Sequence, residues 1–287
     1  MISSVAIVLF DGLAFGMLLF VLSVGLSVTL GLMNFINLAH GAFAMLGGYT
    51  AVWLMRQFGL PFLLTLPLAF LAAAAVSILF ERTLFRRLYG AGELNQVLFT
   101  IGLVFVAAAG ATFVFGTGQQ PIVLPDWLRG SVELFGLRFG IYRMFLIVVA
   151  LAITGLLYFT LERTRFGAQI RAAVDNQRVA QGLGLNVERI FAITFALGSG
   201  LAGLGGALAI EIVGLDPSFG FHFLVYVLIV VAVGGLGSVT GSFVGAALLG
   251  IGDVAGKYFV PEIGSFLIYL LLVAILLVRP MGLFGKR

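Results

Sequence analysis

Few side chains in this 287-residue chain could do chemistry, and their types suit lining a path better than catalysing a reaction. There are two histidines, His40 and His222, and no carboxylate lies near His40 in sequence to make a proton relay with it. No cysteine is present, so thiolate metal sites and disulfides are excluded. The spacings His-Glu-x-x-His, Gly-x-Ser-x-Gly and Gly-x-x-x-x-Gly-Lys-Ser/Thr do not occur, which leaves zinc hydrolysis, acyl transfer and phosphate-loop nucleotide binding without a motif. No catalytic or metal-ligating residue is assigned. Asp11, Glu211, Asp216 and Asp253 fall near expected outer membrane boundaries, so none is a mid-membrane ion or proton site. If this chain moves a solute uphill, the energy must come from another chain.

Three stretches hold the remaining candidates. In Asn34-Phe35-Ile36-Asn37-Leu38-Ala39-His40-Gly41, residues Asn34, Asn37 and His40 are three apart and would share one face of a helix. Polar groups at bilayer depth are costly and turn toward the bundle interior or a wet cavity. These residues, with Gly41, either line a transport path or hinge, or form an interhelical hydrogen-bond cluster that glues the bundle. The second stretch, Gly234-Gly235-Leu236-Gly237-Ser238-Val239-Thr240-Gly241, has more glycine than packing needs. Some of it must be a non-helical turn or break, and Gly235, Gly237 and Ser238 are further path candidates.

The third stretch, 162–189, is too polar to enter a membrane and too patterned for a slack linker. Ile170, Val174, Ala180 and Leu183 recur at roughly helical spacing, while Arg171, Asp175 and Arg178 fall elsewhere on the wheel. Gly182 and Gly184 follow as helix stops. This is a short amphipathic helix that either docks on a soluble partner or lies on lipid headgroups.

Helices must position these groups. Hydrophobic residues make up 61% of the chain and charged residues 10%, against roughly 25% charge in a soluble domain; the mean hydropathy is +1.18. Crossing a hydrocarbon core takes roughly 20 apolar residues as a helix, and apolar runs such as 64–79 and 267–278 do not alternate as barrel strands would. The expected fold is all-α, a polytopic transmembrane bundle. Helices fall near 5–31, 34–55, 61–80, 96–116, 143–161, 190–213, 223–236, 241–258 and 263–279. That gives about eight or nine spans, the seventh and eighth being two tilted spans or one broken, re-entrant pair. Small residues four apart form packing ridges: Gly12 and Gly16; Ala44 and Gly48; Gly198, Ala202 and Gly206; Gly241 and Gly245. The first run lacks a basic n-region and reads as a retained helix rather than a cleaved signal.

The net charge of +4 reflects basic residues gathered in loops and points to orientation rather than nucleic acid. Arg82, Arg86 and Arg87, then Arg163, Arg165, Arg171, Arg178 and Arg189, then Arg279, Lys286 and Arg287 all fall on one side. That side is expected to be cytoplasmic, with the N-terminus outside and the C-terminus inside. The 117–142 loop carries Arg129 and Arg138 against this, balanced by Asp126 and Glu133.

An ordered set of blocks resembles the permease subunits of branched-chain amino-acid ABC importers, the shorter subunit of the usual pair. It comprises Met33–Gly41 with Met45-Leu46-Gly47-Gly48-Tyr49, Glu81-Arg82, Thr164-Arg165-Phe166-Gly167 with Arg171-Ala172, and Leu183-Gly184-Leu185-Asn186-Val187. Ala202-Gly203-Leu204-Gly205-Gly206, the 234–241 run and Arg279-Pro280-Met281-Gly282-Leu283-Phe284-Gly285 complete it. The resemblance covers nearly the whole chain and implies one permease domain over 1–287 in a bacterial-type inner membrane. It further implies a second permease chain, two cytoplasmic ATP-binding subunits that hydrolyse the ATP, an exterior solute-binding protein, and no cofactor on this chain. By the same resemblance, Arg165, Gly167, Arg171, Asp175, Leu183 and Gly184 belong to a coupling segment that receives the force of hydrolysis. Arg171-Ala172-Ala173 stands where other ABC importers carry Glu-Ala-Ala. Relatives import leucine, isoleucine and valine, and others urea or short amides, so amino acid comes first and urea or amide second. A self-sufficient channel or carrier of a small neutral solute is the reading from a different class.

Overall fold

The computed structural model describes residues 2–33, 35–134 and 136–285. Among them are eleven α-helices: α1 (Ile2–Met33), α2 (His40–Phe58), α3 (Phe62–Thr83), α4 (Glu93–Phe115), α5 (Ile141–Arg163), α6 (Arg165–Asp175), α7 (Gln177–Gly182), α8 (Val187–Val213), α9 (Phe219–Gly234), α10 (Val239–Phe259) and α11 (Gly264–Val278). Every segment expected from hydropathy coincides with a helix. Six of them (α1, α3, α4, α5, α8 and α10) are long and apolar enough to cross a membrane, while α9 and α11 are shorter apolar helices.

α8 is the axis of the bundle. It lies among α1, α2 and α3, and α10 covers the other side of α1. In lipid no hydrophobic force draws apolar helices together, so they associate where small residues let backbones touch. The ridges do this. A Cβ on Gly12 would strike the Ile251 backbone, one on Gly16 the Ala246 carbonyl, one on Gly206 the Ala44 carbonyl, and one on Gly25 the Gly198 carbonyl. Ser27 and Ser242 add a buried hydroxyl–hydroxyl hydrogen bond across α1 and α10. The outer helices keep apolar residues facing outward, among them Phe113 on α4, Leu156 on α5 and Leu277 on α11. In water that surface would be prohibitive; against lipid it costs nothing.

The long connection after α4 holds the exception to an all-helical chain. A two-stranded antiparallel hairpin, β1 (Ser131–Leu134) and β2 (Leu137–Gly140), pairs Ser131 with Gly140. Phe139 packs edge-on against Phe10 of α1 at 4.8 Å, which ties the hairpin to the bundle. At the opposite end of the bundle the α3–α4 connection carries a 3-10 turn, Phe85–Leu88. There Arg86 pairs with Glu188 at the start of α8, and the Tyr89 hydroxyl donates to Glu81 Oε1 at 2.9 Å. Burial first, and the Glu81 carboxylate second, hold the Tyr89 phenol well above its ordinary pKa, so it remains the donor.

One expected boundary is wrong by six residues. The second helix begins at His40, not at 34, and residues 35–39 are not helical. At 234–241 the chain does break, as expected: α9 and α10 are separate helices joined by a tight turn, a form that two tilted spans and a re-entrant pair share.

Candidate functional site

The non-helical segment before α2 is the first candidate. Bare amides in an apolar interior cost several kcal/mol unless bonded, and α4 supplies the partners. The Ile36 N–H donates to Gln96 Oε1 and the Leu38 N–H to Thr100 Oγ1, each at 3.2 Å. Gln96 in turn donates from Nε2 to the Leu88 and Ala91 carbonyls at 3.1 and 3.2 Å, joining break and turn. Phe35 wedges between Phe85, Tyr89 and Phe195 with ring centroids 5.6, 5.5 and 6.4 Å away. Gln96 and Thr100 escaped the sequence reading. Their signal was two amide- or hydroxyl-bearing residues four apart on an otherwise apolar helix. Replacing Gln96 with leucine is expected to lower stability by about 1–3 kcal/mol, the cost of an orphaned buried amide; the thermal midpoint of the detergent-solubilised protein reads it.

The break corrects the shared-face expectation. Because 35–39 is not helical, Asn37 and His40 are not related by a helical turn, and Asn34 lies outside the described residues. His40 is buried and its Nε2 donates to the Leu22 carbonyl of α1 at 2.7 Å. Asn37 is wholly buried, and neither its Oδ1 nor its Nδ2 has a hydrogen-bond partner among the described residues. Gly41 touches the Gly220 carbonyl so closely that a Cβ would clash.

Gly235, Gly237 and Ser238 stand elsewhere, at the α9–α10 turn. Gly235 (φ +95°) and Gly237 (φ +77°) adopt left-handed backbone, and Gly237 abuts Gly31 at the end of α1. Ser238 Oγ accepts the Gly241 N–H at 2.9 Å and caps α10. The chain after α11 returns here: the N–H groups of Leu283 and Phe284 donate to the Val233 and Gly234 carbonyls at 2.8 and 3.1 Å. Among the described hydrogen bonds none joins this turn to Asn37, His40 or Gly41.

At the same end as the Phe85–Leu88 turn, the polar 162–189 segment forms two helices rather than one. Asn176 divides α6 from α7 and caps the second by accepting the Val179 N–H at 3.0 Å. Thr164 caps α6 through the Gly167 N–H at 3.2 Å. Gly167 is buried where a Cβ would strike the Leu161 and Thr160 carbonyls, so it permits the sharp corner after α5. Arg171 closes that corner from outside, donating to the Leu161 carbonyl beside Glu162. The inner face is Ile170, Ala173 and Ala180 packed on Val187 and Ile190 of α8. The expected face of Ile170, Val174, Ala180 and Leu183 is thus corrected: Ile170 and Ala180 keep to it, while Val174 lies at its edge on α6 and Leu183 lies beyond the end of α7. Val174, Val179 and Leu183 are exposed, Leu183 to 77%. Arg165 and Asp175 are exposed beside them, and Gly184 ends the segment with φ +84°. A cavity of about 330 Å³ opens between Phe166, Leu185 and Ile190.

The hairpin end holds a group that sequence order hid. Asp11 on α1 pairs with Arg143 on α5 at 2.7 Å, and Asp253 pairs with Lys257 on α10 at 2.6 Å. All four border one cavity of about 290 Å³.

Set beside known proteins, residues 8–276 match the family model described as branched-chain amino acid transport system / permease component. The chain is similar to a probable branched-chain amino acid transport permease protein LivH of Methanocaldococcus jannaschii, 29% identical over 93% of this chain and 89% of that one. It is also similar to the high-affinity branched-chain amino acid transport system permease protein BraD of Pseudomonas aeruginosa, at 27% over 97% and 95%. A LivM permease protein of the same transport class, from Escherichia coli, is 27% identical over 93% of this chain but 68% of its own length. No solved structure gives a significant match.

Proposed function

The chain belongs to the branched-chain amino acid transport permease family, and from that premise we propose that it is one half of the pore of an ATP-driven importer of leucine, isoleucine and valine. It is a transport component and not an enzyme. The observation that carries the reading is the α6–α7 pair. It is anchored to α8 by an apolar inner face while presenting Val174, Val179, Leu183, Arg165 and Asp175 outward. A free-standing channel has no use for such a platform; an importer powered by separate ATP-binding subunits needs one.

The second half of the pore is a related permease. Support comes from the similarity of this chain to both LivH-type and LivM-type permease proteins. The end bearing α6 and α7 is cytoplasmic, as its arginines require, and the hairpin end faces outward to a solute-binding protein. Arg165, Asp175 and Leu183 meet the ATP-binding subunit, while Gly167, Arg171 and Gly184 set the geometry of the platform. Asn37, His40 and Gly41 belong to the interior path. The turn residues Gly235, Gly237 and Ser238 hold its cytoplasmic rim.

Proteoliposomes containing this chain, a partner permease, the ATP-binding subunits and the binding protein are expected to accumulate leucine only with internal ATP, with isoleucine and valine competing. Accumulation of urea in place of leucine, or uptake by this chain alone without ATP, would overturn the reading.

A further inference from the structure

Asp253 is an acidic side chain that the bundle buries without giving both of its oxygens a partner among the described residues. Its side chain is 2% exposed; Oδ2 accepts from Lys257, and Oδ1 is buried without a hydrogen-bond partner among the described residues. A carboxylate can accept at about four lone-pair positions, and leaving one oxygen unpaired in a low-dielectric wall costs free energy. That oxygen belongs to a residue bordering the 290 Å³ cavity at the hairpin end. Arg143, on the same cavity, pairs with Asp11 at 2.7 Å. The remaining donors of its planar guanidinium suit a second carboxylate. Lys257 sits 6.0 Å from the Phe15 ring centroid and is about half exposed. The rest of the wall is apolar or aromatic, with Ile212, Val213, Val254 and Tyr226 among it.

We propose that this cavity is an entry subsite for a zwitterionic α-amino acid with an aliphatic side chain. Lys257, about half exposed, swings from Asp253 Oδ2 to the ligand carboxylate beside Arg143, the under-bonded Asp253 carboxylate takes the ligand ammonium in its place, and the apolar wall takes the side chain. The charge count favours this ligand class. Two acids and two bases sum to zero, so a zwitterion leaves the site neutral, whereas an amino acid with a charged side chain adds an unpaired charge to a poorly solvated wall. The volume lies just below the range of roughly 300–1,000 Å³ for pockets that take drug-sized ligands, as suits a single small amino acid. The residues come from α1, α5 and α10, so the subsite forms only in the assembled bundle. Its position at the hairpin end makes it a first resting place inside the permease. The inference rests on the importer reading above for its ligand, and it adds where and through which groups that ligand is held.

The test uses the whole transporter in nanodiscs, nucleotide-free and without the binding protein, and measures displacement of labelled leucine. 4-Methylpentanoate, which lacks the ammonium, and isoamylamine, which lacks the carboxylate, should each compete at least tenfold more weakly than unlabelled leucine. Asp253→Asn and Lys257→Met should each weaken leucine binding at least tenfold while the complex stays monodisperse. Equal competition by either truncated analogue overturns the subsite without relying on any variant. Unchanged binding in both variants does the same. ATP-dependent leucine uptake by the wild type keeps these failures separate from the importer reading, because such uptake with unaffected variants sinks the subsite alone. A wild type that imports no leucine removes both.

Discussion

Gly203→Leu is expected to prevent the bundle from closing. Gly203 lies where α8 crosses both α2 and α3, and a Cβ there would sit 2.5 Å from Ala73 Cβ and 2.9 Å from the Ala69 carbonyl. From the facing side, a Cβ on Gly47 would run into the Gly203 backbone itself. Overpacking a close-packed interior costs typically 1–3 kcal/mol, and more where backbone must move. Here the obstacles are a carbonyl and a neighbouring helix, neither of which can rotate away. Because lipid supplies no hydrophobic force to hold the helices together, packing disrupted at the axis is not recovered elsewhere. Gly155→Leu on α5 is the control, since nothing lies within 4 Å of its added Cβ. Fluorescence-detected size exclusion after heating should show Gly203→Leu lost or aggregated and Gly155→Leu like the parent. A monodisperse, heat-resistant Gly203→Leu would disprove the close-approach account.

Leu183→Asp should act with equal force on transport and leave the bundle alone. Leu183 is 77% exposed and outside the small core under α6 and α7, so a charge there costs the free permease little. At an interface with an ATP-binding subunit it is different, because truncating or charging a central apolar anchor costs at least about 2 kcal/mol, roughly thirtyfold in affinity. ATP-driven leucine uptake should fall at least tenfold while the yield of monodisperse permease is unchanged. Gly184→Val should lower uptake by another route, since a β-branched residue at φ +84° is strained by about 1–3 kcal/mol and re-aims the turn that presents Leu183. Normal uptake in Leu183→Asp would remove this segment from the interface.

What the residues disclosed in linear order, and what they withheld, follows from the range of the physics. Helix positions were legible because hydropathy is a local sum, and the glycine ridges because a spacing of four marks a packing face wherever its partner lies. The start of α2 was not legible. His40-Gly41-Ala42 looks no more helical than Asn37-Leu38-Ala39, and the difference lies in Gln96 and Thr100, some 60 positions away, which stabilise the open backbone. Leu183 belongs by spacing with Ile170 and Ala180 only loosely; it follows the end of α7, past the last residue packed on α8, and so faces outward. The charged cavity was the least visible of all. Asp11, Arg143 and Asp253 are spread over most of the chain; Asp11 and Asp253 look like ordinary boundary residues, and nothing in linear order links Arg143 to them.

The returning tail after α11 sets an order of events for biosynthesis. The last carbonyls of α9 receive their partners from Leu283 and Phe284, residues that leave the ribosome some 50 positions after the helix they cap. Through that interval the Val233 and Gly234 carbonyls must be bonded by water at the rim of the bundle. Completion of the turn therefore belongs to the moment of release rather than to elongation. A chain ending before Leu283 would leave the last carbonyls of α9 without these partners, so the final residues are part of the turn's structure rather than a loose end.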